Sequence, residues 1–139
     1  MLILAAGVLI ASAAETHTAA ANPSIARDSR CFELRTYTAA PGKLKALNAR
    51  FRDHTCALFR KHGMEIVGFW MPTDKESGAG NKLVYLLAHK NREAAKKSWD
   101  AFHNDPEWIK VRDESEANGK LTEKIESVYL AATDYSPLK

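Results

Sequence analysis

The chain has 139 residues, 45% of them hydrophobic and 27% charged, which is the length and balance of one globular domain and leaves no room for a second. Its formal charge is +3, but Lys and Arg alternate with Asp and Glu along the chain. That pattern belongs to a solvated surface and excludes the basic stripe a nucleic-acid partner would need.

Met1 to Ile10 is an almost unbroken apolar run, followed by Ala11-Ser12-Ala13-Ala14 with small residues where a signal peptidase cuts. The run is shorter than the roughly 20 residues that span a bilayer. It therefore reads as an export signal over residues 1–13 rather than a membrane anchor, although no Lys or Arg precedes it, and it directs the protein to the periplasm or outside the cell. Residues 14–30 are rich in Ala, Thr, Asn, Pro and Ser and have no period, the composition of a disordered leader. The domain proper is residues 31–139.

Cys31 to Thr38 alternates apolar and polar residues at period two, a strand. Pro41-Gly42-Lys43 then opens a helical pattern in which Leu44, Leu47, Phe51, His54 and Leu58 fall on one stripe. Gly63 stands where a left-handed cap ends that helix, with Lys61 and His62 at the negative end of its dipole. Strands are expected at Met64 to Met71 and Lys82 to His89, joined by the polar, glycine-containing loop 72–81. Asn91 is an N-cap for a second helical region with Trp99 and Phe102 on its apolar face. Asp105-Pro106-Glu107 restarts a helix with an N-cap, a proline and an acid in order, and Gly119 closes it. A last strand, about Leu121 to Ala132, completes β-α-β-β-α-β: an α+β, ferredoxin-like plan with four antiparallel strands and helices on one face.

The blocks Phe32 to Thr38, Pro41-Gly42-Lys43, Phe51-Arg52-Asp53-His54-Thr55, Lys61-His62-Gly63-Met64, Val67-Gly68-Phe69-Trp70, Asp105-Pro106-Glu107-Trp108 and Tyr135-Ser136-Pro137-Leu138 occur in this order. Together they resemble the NIPSNAP family over roughly residues 31–138. The resemblance implies a dimeric α/β barrel, in which two ferredoxin-like sheets close on each other, and it implies little about chemistry because the family's biochemical role is undefined. Within it, His54 is the residue singled out.

The later strands are apolar on both faces: Val67 and Phe69 against Ile66 and Trp70, Val84 and Leu86 against Leu83, Tyr85 and Leu87, Val128 and Leu130 against Ile125 and Tyr129. Helices on one side cover one face. The other, roughly 300 Å² for a sheet about 19 Å by about 17 Å, is near the limit a monomer leaves bare, so a homodimer through the sheet faces is expected.

Phe32 and Leu34 are expected to face the helix, which turns Glu33, Arg35 and Tyr37 away from it into the barrel interior. There Arg35 could bind a carboxylate or oxyanion, Glu33 could move a proton with a pKa raised by burial, and Tyr37 could orient a ligand. Alternatively Glu33 and Arg35 neutralise each other as a structural pair. The catalytic candidates are Glu33, Arg35 and His54, with His54 also readable as a hydrogen-bonded core histidine. The ligand-pocket candidates are Arg35, Tyr37, Trp70 and Tyr85. Cys31 and Cys56 are expected on opposite sides of the sheet as free thiols. No ligand spacing or Cys-x-x-Cys motif points to a metal, and no motif points to a cofactor. Two functions stay open: a homodimeric small-ligand-binding or interaction module, or a cofactor-independent oxygenase or isomerase acting on a small aromatic or carbonyl compound. An enzyme should keep a cavity of several hundred Å³ bordered by Arg35 and Tyr37.

Overall fold

The computed structural model describes residues 22–139. The expected export signal and residues 14–21 of the leader lie outside the described residues. The strands are β1 (Cys31–Ala39), β2 (Glu65–Trp70), β3 (Lys82–His89) and β4 (Thr122–Ala131). They form one antiparallel sheet in the order β2-β3-β1-β4. Between β1 and β2 runs a continuous helix made of α1 (Leu44–Arg50), a π-helical turn (Phe51–Thr55) and α2 (Cys56–Lys61). Between β3 and β4 lie α3 (Arg92–His103) and α4 (Pro106–Ser115). The α+β, βαββαβ plan read from the sequence is the one observed. Among the described residues no helix is long and apolar enough to cross a membrane.

The expected punctuation is in place. The Asn91 side chain accepts from Ala94 N at 2.8 Å, and Asp105 accepts from Glu107 N at 2.8 Å, each satisfying a donor that a helix start leaves unpaired. Gly63 sits at φ +75°. Its N–H donates to Arg60 O at 3.0 Å and the N–H of Met64 donates to Phe59 O at 2.9 Å, the crossed pair of bonds that ends a helix on a left-handed residue.

Two local defects shift the phase of the side chains. In the π-helical turn one extra residue is accommodated, and the Thr55 hydroxyl donates to Arg50 O at 3.2 Å. The buried stripe therefore runs Leu47, Phe51, Thr55, Leu58 and Phe59, and His54 points to solvent. This corrects His54 as a core histidine. In β2 the register slips between Ile66 and Gly68, a bulge that puts Ile66 and Phe69 on one face and Val67 and Trp70 on the other.

The faces are the reverse of those expected. Tyr37, Leu83, Tyr85 and Leu87 form the main core with Leu47, Phe51, Phe59, Trp99 and Phe102 from the helices. Because parity ties Glu33 and Arg35 to Tyr37, all three face the helices, while Phe32 and Leu34 share the opposite face with Ala88, Leu86, Leu130 and Val128. The expectation took the apolar side of β1 for the helix side. In fact the helix layer supplies polar partners of its own, and the apolar side meets the chain ends. The main core is densely aromatic, with Tyr85 stacked on Phe69 at 5.0 Å between centroids and Phe102 against Trp108 at 4.5 Å.

The open face carries Trp70 and Val128, each 53% exposed, and Leu130, 44% exposed. One end of it is covered by this chain itself: Ser136 and Leu138 line a small recess with Phe32, Leu86 and Leu130. Residues 22–30, expected to belong to the leader, are fixed here. Ile25 bridges Thr133, Ala26 N donates to Ala132 O at 2.9 Å, and Ser29 Oγ accepts from Ala132 N at 2.7 Å. Their backbone bonds to the end of β4 outweigh a composition typical of disorder. Cys31 and Cys56 are both free thiols, but Cys31 shares the helix-side parity of Glu33 rather than lying on the opposite side.

Candidate functional site

Glu33 is 1% exposed and its carboxylate is saturated. Oε1 accepts from Arg35 Nη1 at 2.7 Å and from Ser127 Oγ at 2.7 Å; Oε2 accepts from Trp99 Nε1 at 2.7 Å and bonds His89 Nε2 at 3.1 Å. Two donors on each oxygen use the roughly four lone-pair sites of an ionised carboxylate. The pairing of β1 with β3 and β4 sets Glu33 near His89 and Ser127, and α3 brings Trp99 down from the helix layer. Since a carboxylate only accepts, the hydrogen shared with His89 sits on Nε2. His89 Nδ1 is then buried without a partner among the described residues.

Burial pushes the Glu33 pKa up, but the hydrogen bonds from His89, Trp99, Arg35 and Ser127 overcome it and bring it down from 4.5 to about 2. Of the two alternatives for Glu33 this disfavours proton transfer with a pKa raised by burial: the carboxylate is ionised, fully bonded and unsuited to taking up a proton near neutrality. Arg35 is its counter-ion, as in the structural alternative. Burial opposes the guanidinium charge, but the Tyr85 and Tyr37 oxygens and Glu33 more than compensate, so its pKa lies above the ordinary value. The guanidinium also stacks 4.3 Å over the Trp99 ring.

Next to this pair, between sheet and helices, lies a cavity of about 170 Å³. Arg35 and Tyr37 line it from the sheet, Phe51 and Phe59 from the first helix, and Trp99, His103 and Trp108 from α3 and α4. Arg50, Arg112 and Glu116 complete its charged wall. Tyr85 does not line it but lies underneath, fully buried, donating its hydroxyl to Tyr37 at 3.1 Å. Burial, reinforced by Tyr37, holds the Tyr85 phenol well above its usual pKa despite the nearby Arg35, so it stays protonated. His103, stacked on Trp99 at 5.4 Å, has its pKa lowered by burial and then by Arg35.

Of the residues expected at the site, Glu33, Arg35, Tyr37 and Tyr85 are brought together, on the helix side rather than in a barrel interior. Trp70 is on the opposite face because of the β2 bulge, its ring folded over Gly68, and it is no part of this pocket. His54 lines a separate shallow groove with Ala46, Ala49 and Val111 and touches neither Glu33 nor Arg35. The sequence reading missed Arg50, 6% exposed, because it lies off the expected stripe, and missed His89, Trp99 and Ser127 as partners of Glu33. The parity of His89 with Leu87 and Tyr85 was a usable signal; nothing in the sequence marked Ser127. A wider recess of about 440 Å³ between the start of α3 and β4 is open to solvent and lined by Arg30, Lys90, Arg92 and Tyr129, without a buried charge on its wall. Among the described residues no three His, Cys, Asp or Glu side chains are grouped to hold a metal ion.

Comparison with known proteins bears on the fold and the family. No match was found among proteins of curated function. The structure is similar to a NIPSNAP family protein of unknown function from Agrobacterium tumefaciens (TM-score 0.72, 21% identity, 84% of this chain and 99% of that one). It is also similar to an uncharacterised NIPSNAP-like domain protein from Burkholderia xenovorans (TM-score 0.68, 18% identity, 79% and 90%). A more distant likeness is to a cofactor-independent oxygenase from Streptomyces nogalater (TM-score 0.52, 14% identity, 78% and 97%). At these identities the likeness carries the fold alone. The NIPSNAP family profile matches residues 32–137, most of the chain and nearly all of its described part, and the chain therefore belongs to the NIPSNAP family.

Proposed function

We propose that this protein is an exported, homodimeric small-ligand-binding module, two copies meeting through the open sheet face and each holding a small aromatic molecule in its helix-side cavity. The observation that carries the ligand reading is the cavity of about 170 Å³ left among aromatic side chains, with guanidinium groups on its wall. A module serving only to dimerise has no reason to keep that space. The volume is below the roughly 300 Å³ at which drug-sized pockets begin, and smaller than the several hundred Å³ set as the mark of an enzyme. It suits a single ring. The dimer is supported by Trp70, Val128 and Leu130, exposed together on the face the helices leave bare.

Phenol, a neutral one-ring probe, tests the cavity in the full chain. Titration should quench tryptophan fluorescence and perturb resonances of Phe51, Trp99 and Trp108; no binding of either phenol or benzoate at millimolar concentration overturns the ligand reading. Light scattering tests the dimer: the wild type should have twice the mass of the doubly substituted V128K/L130K protein, with unchanged circular dichroism. A wild type that stays monomeric at several hundred micromolar overturns the dimer.

A second reading, catalysis without a cofactor on a small aromatic or carbonyl compound, is favoured by His103. Its lowered pKa leaves an unprotonated imidazole on the cavity wall at neutral pH. The binding reading is preferred because Glu33, the other potential base, is fully consumed by its four donors.

A further inference from the structure

The charges on the cavity wall are unequal in their commitments. Arg35 is neutralised by the saturated Glu33. Arg50 differs in its anion, the partly exposed Glu116: it is almost wholly buried, lies 5.2 Å over the Trp108 ring, and its Nε, like that of Arg35, has no partner among the described residues. Its Nη1 donates to Glu116 Oε1 at 3.0 Å and to Ser115 Oγ at 3.2 Å. Arg112 adds a third cation to the same wall and among the described residues is paired with its exposed neighbour Asp113, at 2.8 Å. Each cation of the wall thus has an acidic partner, Glu33 for Arg35, Glu116 for Arg50 and Asp113 for Arg112, and of these Asp113 lies outside the cavity lining.

Glu116 is the anomalous member. It is the C-cap residue of α4, where the helix dipole disfavours a carboxylate, and no local preference of the helix explains an acid there. What holds it is Arg50, a buried cation that requires an anion. The Glu116 side chain is itself a quarter exposed, so it can leave Arg50 for water at little cost, whereas Arg50 cannot leave the cavity.

Resting on the ligand-binding reading, we propose that the cavity is built for a small planar aromatic carboxylate, and that Glu116 is an internal competitor that the ligand's carboxylate displaces from Arg50. The ring lies against Phe51, Trp99 and Trp108, and the carboxylate takes the fork of Arg50, the geometry in which a guanidinium binds a carboxylate through two parallel hydrogen bonds. Arg112 closes over it from α4. The Glu116 carboxylate then turns outward to solvent, so one anion replaces another on Arg50 and the charge of the filled site is unchanged.

The test is calorimetric titration of the full chain and of its E116Q and R50Q variants with benzoate and with phenol as the uncharged control. Wild type should bind benzoate about tenfold more tightly than phenol, the discrimination one charge-assisted contact supplies. E116Q should tighten benzoate about fivefold to tenfold and leave phenol unchanged, and R50Q should reduce benzoate to the affinity of phenol. If R50Q does not fold, E116Q with E116A decides alone, because Glu116 is partly exposed. Phenol binding as tightly as benzoate, or E116Q weakening benzoate, overturns the ligand class and leaves the cavity reading standing. Failure of both probes overturns both.

Discussion

Replacing Glu33 by Gln keeps the shape of the side chain and removes the charge that organises the site. The Glu33 pKa falls from 4.5 to about 2 on folding, so the folded state binds fewer protons than the unfolded state in acid. At about 1.36 kcal/mol per pH unit that difference is on the order of 3 kcal/mol, present in full above the unfolded value of 4.5 and lost as pH falls towards the folded value. By this linkage the contribution is on the order of 3 kcal/mol at pH 7 and on the order of 1 kcal/mol at pH 3. E33Q adds a second penalty, because an amide nitrogen replaces one acceptor oxygen and faces two donors. Urea denaturation at fixed protein concentration, at pH 7 and at pH 3, should give E33Q a loss of about 3 kcal/mol or more at neutrality, shrinking by about 2 kcal/mol in acid. Equal stability of the two proteins at pH 7, or a difference that does not change with pH, would refute the assignment of Glu33 as a buried, saturated carboxylate.

Trp99→Phe keeps an aromatic side chain but deletes the indole donor to Glu33 Oε2; a lost bond to a charged group costs about 2 kcal/mol, measured by urea denaturation at pH 7. It should also shift the acid-unfolding midpoint upward, because one of the bonds holding the Glu33 pKa down is gone. Gly63→Ala should cost about 1 to 2 kcal/mol in thermal melts through backbone strain alone. An added Cβ there meets nothing nearer than Ser98 Oγ at 3.8 Å, while φ stays at +75°; an unchanged melting temperature would show that the cap tolerates another conformation.

Element order and caps were legible in the sequence because they depend on neighbours in the chain. Asn91, Asp105 and Gly63 act within a few residues of themselves, and the alternation in β1 fixes a strand whatever packs on it. The side of the sheet each residue faces was not legible. Parity says that Glu33, Arg35 and Tyr37 share a face, which is correct, but it does not say which layer covers that face. Apolarity suggested that the helices take Phe32 and Leu34. The deciding contacts come from Trp99 and Ser127, far along the chain, which make a buried charged face viable. The two phase defects escaped for a related reason: the turn at Phe51–Thr55 and the bulge after Ile66 each insert one residue. Every reading that extends a period through them, His54 inward and Trp70 grouped with Ile66, ends one step out.

The same network that builds the cavity wall limits what the cavity can do. A carboxylate useful as a base needs a free lone pair and a pKa near the working pH, and Glu33 has neither once Arg35, Ser127, Trp99 and His89 have used its oxygens. Tyr85 is locked as a phenol, and Arg35 is locked as a cation whose charge is already answered. On the proposed reading the group whose partner is replaceable is Arg50, at the end of α1 and one turn on from Leu47, where ordinary helical spacing already turns it inward. The inserted residue acts after it on the first helix: it turns His54 out to solvent and leaves Thr55 closing the Arg50 carbonyl. A buried cation and aromatic walls, with the carboxylate fully bonded and the His103 imidazole left as a base on the wall, favour the proposed reading of a site that holds an anion over one that moves a proton.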